Sequence, residues 1–190
     1  MSIFIIFFGV FLIALGLTGL IKKFGSIFSL IDTPVDRSAH STPMPSGGGV
    51  AIAVLFLIFA YLFYINGSVT RNEYLAILGA LVIAAIGFAD DVSSLPLRQR
   101  LTLQFLVAIW AVYWLGGVPT IDFSVFKLSS PSFLALLGVF AIVWLSNLYN
   151  FMDGIDAIAG AELIFVNVMT LIFVMNSENS AIGFLSAVLA

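Results

Sequence analysis

Long apolar runs separated by short polar segments dominate the hydrophobic pattern of the chain. Each run is too long for a typical strand and carries almost no charge, which is typical of helices that cross a membrane. The runs cover residues 3–21, 50–65, 74–89, 101–115, 133–145, 157–175 and 181–190. Several are shorter than the roughly 20 residues that a bilayer requires, so we expect their helices to extend into flanking polar sequence. The pattern predicts an all-α fold, a polytopic transmembrane helical bundle with about six complete spans and a truncated seventh.

The last run, residues 181–190, is only ten residues long, which corresponds to roughly 15 Å of helix. A membrane protein is not expected to stop inside a span. Residues 1–190 are therefore interpreted as a single integral membrane domain, and as the N-terminal part of a longer protein or a truncated product.

Composition supports a membrane protein: 62% of residues are hydrophobic and 9% are charged. Soluble domains are typically about 45–50% apolar and about 25% charged. The chain has no cysteine, which excludes disulfides, a zinc–thiolate site and thiol catalysis. A lipid bilayer is the expected surrounding, and no nucleic-acid partner is expected.

The basic residues predict which polar segments face the cytoplasm. No positive charge precedes the first run, whereas two lysines follow it, which favours an N-terminus outside the cell. Segments 22–49, 90–100 and 146–156 then lie inside, and segments 66–73, 116–132 and 176–180 lie outside. The inner segments contain five basic residues and the outer segments two, in agreement with the positive-inside rule: Lys22, Lys23, Arg37, Arg98 and Arg100 against Arg71 and Lys127. The chain is predicted to be a multi-pass protein of the inner (plasma) membrane with its polar chemistry on the cytoplasmic face.

The first inner segment contains "DTPVDRSAHSTPMPSGGGV", residues 32–50. Its prolines exclude a regular helix, and Gly47, Gly48 and Gly49 precede the second span. Glycines before a helix N-terminus expose backbone N–H groups that suit a phosphate. A flexible linker is the alternative interpretation of the glycines, and a lone histidine such as His40 is more often a loop hydrogen-bonding group than a catalyst.

The second inner segment contains "GFADDVSSLPLRQRL", residues 87–101. Asp90 and Asp91 would project about 100° apart around a helix. Two carboxylates can hold a hard divalent cation, or one of them can act as a base. The alternative is an interfacial helix end, with Arg98 and Arg100 as snorkelling anchors.

The third inner segment contains "NLYNFMDGIDAIAG", residues 147–160, in which Asn147, Asn150, Asp153 and Asp156 recur every three residues. On a regular helix that spacing drifts by about 60° per step, so the last three would line one broad face. Carboxylates beside carboxamides suit magnesium and a diphosphate through water, or the edge of a uracil. A polar cluster without a ligand at the end of a helix is the alternative.

Together these segments resemble the polyprenyl-phosphate N-acetylhexosamine-1-phosphate transferases, glycosyltransferase family 4, and the undecaprenyl-phosphate GlcNAc-1-phosphate transferases in particular. The first is similar to that family's D-x-P-N-x-R-S-x-H-x-x-P-x-P-R-G-G-G pattern, and the second to its Asp-Asp loop with following basic residues. The third resembles its N-x-x-N-x-x-D-G-x-D-G-L-A-G signature. The chain departs from these patterns at Val35, Ser46, Ala157 and Ile158. Ser46 stands where the family usually has a basic residue. Two further elements of the family, a metal-binding aspartate and a His-rich loop, would lie beyond residue 190.

The resemblance implies transfer of a sugar 1-phosphate from a UDP-N-acetylhexosamine to undecaprenyl phosphate, with release of UMP, on the cytoplasmic face. This reaction would be the first membrane step of a cell-surface polysaccharide, such as lipopolysaccharide or a cell-wall polymer. It also implies Mg²⁺, with Mn²⁺ as the alternative ion, and leaves a homodimer open. The catalytic residues that it implies are Asp90 and Asp91, which would lie beside the metal and the acceptor phosphate, with one of them taking a proton from that phosphate. Asn150 and Asp153 would lie near the metal and diphosphate, and Asp156 near the nucleotide. Arg100 would lie near the phosphates, and the other substrate-binding residues would be Asn147, Arg98, Arg37, His40, Gly47 and Gly48.

Three alternatives remain open from the sequence. One is a phospho-MurNAc-pentapeptide transferase of the same superfamily, and another is a non-catalytic truncated remnant. The third is a membrane transporter, for which acids near the middle of the bilayer are typical. The acids of this chain instead fall at the ends of the runs, except Glu162, which is interpreted as a snorkelling or helix-paired carboxylate.

Overall fold

The protein is described by a computed structural model. It covers residues 3–24, 31–32, 44–45, 48–93, 95–152, 158–174, 185–186 and 188–189. Its helices are α1 (Ile3–Phe24), α2 (Gly49–Ile65), α3 (Arg71–Ile77), α4 (Gly79–Ser93), α5 (Leu97–Trp114), α6 (Pro131–Met152) and α7 (Ile158–Val174). Two antiparallel strand pairs accompany them: β1 (Ile31–Asp32) with β2 (Met44–Pro45), and β3 (Ile121–Asp122) with β4 (Lys127–Leu128).

The helical surfaces are apolar and largely open, as expected for a protein surrounded by lipid. In the described part of the chain, two stretches are long and apolar enough to cross a membrane: Arg71–Asp90, which includes the α3–α4 junction, and Pro131–Phe151. Only 17% of each is buried, whereas the core helix of a soluble protein is mostly buried. Phe8–Ile21, Gly49–Ile65 and Ile158–Val174 are shorter apolar helices. The predicted helical membrane architecture is consistent with these helices, and the number and direction of the spans stay predictions.

The apolar run 74–89 forms two helices instead of the one that its hydrophobicity predicts. α3 ends at Ile77 and α4 begins at Gly79. A Cβ at Gly79 would lie 2.9 Å from Val107 Cγ1 of α5, so a glycine permits this close approach. The carbonyl of Leu75 accepts a hydrogen bond of 2.7 Å from Trp110 Nε1. In an uninterrupted helix residue 79 would be the donor to that carbonyl, so the indole of α5 supports the junction.

α5 and α6 pack side by side in opposite directions and form the main buried cluster: Ala108, Val112, Val139 and Val143. Gly138 of α6 permits the close approach of Val118, in the segment that follows α5, because a Cβ at residue 138 would lie 2.5 Å from Val118 Cγ2. The rings of Phe105 and Phe140 meet edge to face with their centroids 5.5 Å apart. This packing aligns the first half of α5 with the last turns of α6.

The polar segments depart from the all-helical prediction in one respect and confirm it in another. The strand pairs mean that the described chain is not purely α-helical: in the first inner segment, Ile31 pairs with Pro45 and Asp32 with Met44. The second and third inner segments confirm that the helices extend into flanking polar sequence, since α4 continues to Ser93, α5 begins at Leu97 and α6 continues to Met152. Polar residues can extend α6 because Ser146 and Asn147 donate hydrogen bonds to the carbonyls of Ile142 and Val143, one turn earlier.

Candidate active site

The end of α4, the start of α5 and the end of α6 lie together at one end of the helices, which we call the motif end. The connection from α4 to α5 is short, and Pro96 is the N-cap residue of α5. α5 then runs antiparallel to α6, so its first turns reach the last turns of that helix. Residues of the second and third motifs, distant in sequence, therefore lie near one another.

Asp90 is held by donors on both of its carboxylate oxygens. Oδ1 accepts a 2.7 Å hydrogen bond from the backbone N–H of Leu95, and Oδ2 accepts a 2.8 Å bond from Nη1 of Arg100. The side chains of Arg100 and Asp90 are 25% and 22% exposed, so water screens this ion pair only partly. The carboxylate is thus fixed in place, and each of its oxygens keeps a second lone pair for a further donor or a cation.

Both members of this pair lie at unfavourable ends of their helices. Asp90 is near the C-terminus of α4 and Arg100 is near the N-terminus of α5, where the helix dipoles disfavour their charges by about 0.3–1 kcal/mol each at exposed sites. The 2.8 Å ion pair offsets that cost. Nε of Arg100 is buried and has no hydrogen-bond acceptor among the described residues. A buried unpaired donor is costly, which makes this N–H a ready partner for an anion.

Asn147 joins the third motif to α5. Its Nδ2 donates to Oε1 of Gln104 at 2.7 Å and to the carbonyl of Val143 at 2.8 Å. Gln104 is buried, with 7% of its surface exposed. Arg100 and Gln104 are four residues apart and so lie on the same face of α5. That face binds Asp90 of α4 through the arginine and Asn147 of α6 through the glutamine.

The remaining described motif residues are open to solvent or headgroups. Asn150, in the last turn of α6, is exposed, and its side chain forms no hydrogen bond to another described residue. Arg98 is exposed and lines a shallow groove of about 360 Å³ with Gln99, Thr102 and Leu103. Gly48 is the N-cap residue of α2, with right-handed helical dihedral angles of φ −57° and ψ −31°.

Several predicted site residues fall outside what the structure describes. Those outside the described ranges are Arg37, His40, Gly47, Asp153 and Asp156, and of Asp91 only the backbone in α4 is described. The proposed face shared by Asn150, Asp153 and Asp156 is therefore untested beyond Met152, the last residue of α6.

The chemistry of the described donors fits a hard cation only in part. Asp90 and the amides of Asn147 and Asn150 supply oxygen, the ligand that Mg²⁺ prefers. No group of three or more acidic, His or Cys side chains is present within the described residues. Asp90 is also shared with the Arg100 guanidinium. A complete set of ligands would need the carboxylates of Asp91, Asp153 or Asp156.

Two residues near this end were not assigned to the site from the sequence. Gln104 is a single amide inside an apolar run, and the available signal was that a buried amide needs a partner. Glu162 of α7 has a buried Oε2 with no partner among the described residues, and it interacts electrostatically with Tyr149 of α6. A buried oxygen does not suit the snorkelling side chain that the sequence suggested.

Comparison with known proteins gives consistent matches. Residues 73–190 match the family model described as Glycosyl transferase family 4. The undecaprenyl-phosphate alpha-N-acetylglucosaminyl 1-phosphate transferase of Thermotoga maritima is 27% identical over 161 residues, which cover 83% of this chain and 48% of the relative. The phospho-N-acetylmuramoyl-pentapeptide-transferase of Fusobacterium nucleatum is 31% identical over 158 residues, with 73% and 43% covered. The decaprenyl-phosphate N-acetylglucosaminephosphotransferase of Mycobacterium leprae is 32% identical over 158 residues, with 75% and 38% covered. The chain spans less than half the length of these curated relatives.

Proposed function

We propose that this chain, which belongs to glycosyl transferase family 4, contributes the motif end to an enzyme that transfers a sugar 1-phosphate from a UDP-N-acetylhexosamine to a polyprenyl phosphate. The family read from the three motifs is thereby confirmed, whereas the activity, the substrates and the membrane face are proposals. The observation that carries them is the arrangement of Asp90, Arg100 and Asn147. An immobilised carboxylate, a guanidinium whose buried Nε has no acceptor among the described residues, and a fixed amide lie at one end of apolar helices.

The proposed reaction exchanges one phosphoanhydride for another. An oxygen of the polyprenyl phosphate forms a bond to the phosphorus that carries the sugar, and the bond from that phosphorus to the oxygen bridging it to the UMP moiety breaks. UMP leaves with that oxygen, and the sugar is left on a polyprenyl diphosphate. If the acceptor phosphate carries a proton, a carboxylate takes it. Both substrates are anionic, so positive charge must gather around the phosphates.

The roles that we propose rest on the described contacts for Asp90 and Arg100, and on the motif resemblance for the other residues. Arg100 binds a phosphate oxygen through its unpaired Nε while Asp90 holds its Nη1, so Asp90 orients the cation. Asp91, on the same turn of α4, is left to receive the proton. Asn150 and Asp153 serve the diphosphate and Asp156 the nucleotide. Arg98, Arg37, His40, Gly47 and Gly48 surround the phosphates.

Mg²⁺, or Mn²⁺ in its place, would supply positive charge that neutralises the diphosphate when bound. The oxygen donors that would hold it are Asp91, Asn150 and Asp153, with Asp90 at their edge. The lipid acceptor explains why such acids lie beside apolar helices. We propose that this site faces the cytoplasm at the inner membrane.

The second candidate is transfer of phospho-MurNAc-pentapeptide to the same kind of acceptor. It is supported by the Fusobacterium relative of that name, which is 31% identical, against 27% and 32% for the Thermotoga and Mycobacterium N-acetylglucosamine-type enzymes, so identity does not separate the candidates. The first candidate is favoured by the first motif, with its Arg-Ser-x-His core. The described contacts of the motif end fit either candidate, because both reactions bring a diphosphate and a polyprenyl phosphate together.

Release of UMP tests the proposal and separates the candidates. The gene product that contains this chain is incubated in membranes with undecaprenyl phosphate, Mg²⁺ and either UDP-GlcNAc or UDP-MurNAc-pentapeptide. We expect UMP from one donor, dependent on the lipid acceptor and abolished by EDTA. Equal UMP release without the lipid, or none from any UDP-sugar, would overturn the transferase proposal.

A further inference from the structure

We infer that Gln104 is a positioning residue that makes Asn147 present an oxygen, and no N–H group, to the motif end. The geometry of this inference comes from the hydrogen bonds of the Gln104 and Asn147 amides. Its effect on catalysis rests on the proposed function. Gln104 belongs to none of the three motifs, and its low solvent exposure does not indicate a functional role. The glutamine lies inside the apolar run 101–115 and is buried.

The hydrogen bonds determine which way the Asn147 amide faces. The carbonyl of Val143 can only accept, so the atom of Asn147 that lies 2.8 Å from it must be Nδ2. The same Nδ2 lies 2.7 Å from the side chain of Gln104, which must therefore offer Oε1. The usual ambiguity between the oxygen and the nitrogen of an amide is removed by the backbone carbonyl.

Both N–H bonds of Asn147 are consumed by these two acceptors, because an amide nitrogen carries two hydrogens. Oδ1, which accepts and cannot donate, is the side-chain atom of Asn147 that has no hydrogen-bond partner among the described residues. Its ligand is therefore electropositive: a metal ion, or an N–H or O–H group of the UDP-sugar. A phosphate oxygen is excluded as its direct partner. Asn147 thus complements Arg100, whose unpaired Nε suits the phosphates.

Gln104 also ties this orientation to the second motif. It lies one turn after Arg100 on α5, so the helix that holds Asp90 through the arginine holds Asn147 through the glutamine. Mutation of a residue that holds a metal ligand in its orientation through a hydrogen bond typically lowers metal affinity or activity by about 10–100-fold. A loss of that size is expected when the acceptor at position 104 is removed.

Three substitutions separate positioning from packing. Gln104→Glu keeps an acceptor oxygen, Gln104→Met removes it at similar volume, and Gln104→Lys replaces it with donors. We expect kcat/KM for UMP release within about 3-fold of wild type for Gln104→Glu, and about 10–100-fold lower for the other two. A purely structural role predicts that Gln104→Met is tolerated and that Gln104→Glu and Gln104→Lys are both impaired, because each buries a charge, so the Glu and Met variants separate the two roles. Gln99→Met, at an exposed position on the same helix, is the matched control.

The orientation itself can be read without catalysis. In the ¹⁵N-asparagine-labelled gene product in micelles, both Nδ2 protons of Asn147 should exchange slowly with solvent. In Gln104→Met one of them should exchange faster, and Gln104→Glu should restore protection. Rapid exchange of both protons in the wild type would overturn the inference. Slow exchange in a wild type that releases no UMP would leave the orientation standing and overturn the proposed function.

Binding measurements that compare the Asn147→Leu variant with the wild type identify the ligand of Asn147 Oδ1. A loss of Mn²⁺ affinity, measured with the ion alone, would assign Oδ1 to the metal. A loss of UMP affinity in EDTA would assign it to an N–H or O–H group of the nucleotide. If Asn147→Leu changes neither affinity, Asn147 presents its oxygen to no ligand and the inference fails.

Discussion

Two aspartate–cation pairs of similar length lie at opposite ends of the helices, in different surroundings. Asp90 and Arg100 are 2.8 Å apart, join α4 to α5 and are about three-quarters buried. Asp122 and Lys127 are 3.0 Å apart, face each other across β3 and β4, and have side chains that are 54% and 67% exposed. The exposed pair, screened by water, is expected to contribute little stability.

The different surroundings of the two ion pairs indicate different roles. Asp122 also accepts a hydrogen bond from the backbone N–H of Ser124, so its carboxylate closes a tight turn. The ion pair of Asp122 with Lys127 therefore completes the hairpin without a further ligand. The Asp90 pair instead leaves Nε of Arg100 buried and without an acceptor in the part of the chain that the structure describes. We therefore expect charge at the motif end to matter for reaction, and charge at the hairpin to matter for local structure.

The comparison would fail if the motif end and the β3–β4 hairpin lay on the same side of the membrane. The chain has no cysteine, so single cysteines can be introduced without background. Gln99→Cys at the motif end and Ser129→Cys beside the hairpin are both at exposed positions. We expect a membrane-impermeant thiol reagent to label Gln99→Cys only from the cytoplasm and Ser129→Cys only from outside. Labelling of both from the same side would refute the arrangement.

Charge removal within the motifs should have the largest effect on rate. We expect Asp91→Asn and Asp153→Asn each to lower kcat for UMP release by at least about 100-fold, the scale of losing a general base or a key electrostatic contact. Asn keeps the size of Asp but loses its charge. Thermal unfolding in detergent should change little, and a large shift in the unfolding temperature would indicate a structural role instead.

Replacement of Arg100 should have a smaller effect. Arg100→Lys keeps a charge that can reach Asp90 but loses Nε and the planar guanidinium. We expect kcat/KM to fall by about 10-fold, which corresponds to the lower end, about 1.5 kcal/mol, of what a hydrogen bond to a charged group contributes. Arg71→Lys, an exposed position at the opposite end, is the control and should behave as wild type. Equal activity of the two variants would remove Arg100 from the phosphate site.

The smallest effect concerns the hairpin. The Ser124 N–H, and secondarily Lys127, hold the pKa of Asp122 below its ordinary value of 3.8. A lowered pKa means that the carboxylate supports the hairpin above pH 3.8, and that this support is lost as the pH falls through the folded pKa. Lys127→Met should raise the Asp122 pKa only part of the way, because the larger cause remains. Carboxyl ¹³C NMR titration measures it, and a return to 3.8 would contradict this assignment.

Sequence reasoning located the helical segments and the family but not their details. The extension of α6 to Met152 depends on Ser146 and Asn147 bonding back to carbonyls of their own helix, which hydrophobicity does not report. The break before Gly79 depends on the approach of Val107, a long-range contact. The β3–β4 hairpin has strands of two residues each, too short for an alternating pattern.

The candidate site was predictable where residues act through their own chemistry. The motifs named Asp90, Arg100 and Asn147, and the structure brings these residues to one end of the helices through α5. Gln104 could not be found in the same way, because its importance comes from the direction of one hydrogen bond to Asn147. Orientation of an amide is a property of the fold, so composition and spacing do not contain it.

The most direct test of the central claim is a paired measurement of Asp90→Asn and Asp122→Asn in the gene product that contains this chain. UMP release from the preferred UDP-sugar is measured with undecaprenyl phosphate and Mg²⁺. We expect Asp90→Asn to lower kcat by about 100-fold, because Arg100 loses its charged partner, and Asp122→Asn to leave it unchanged. Intact UMP release from Asp90→Asn would contradict the account and would make the motif-end pair a helix anchor like the pair at the hairpin.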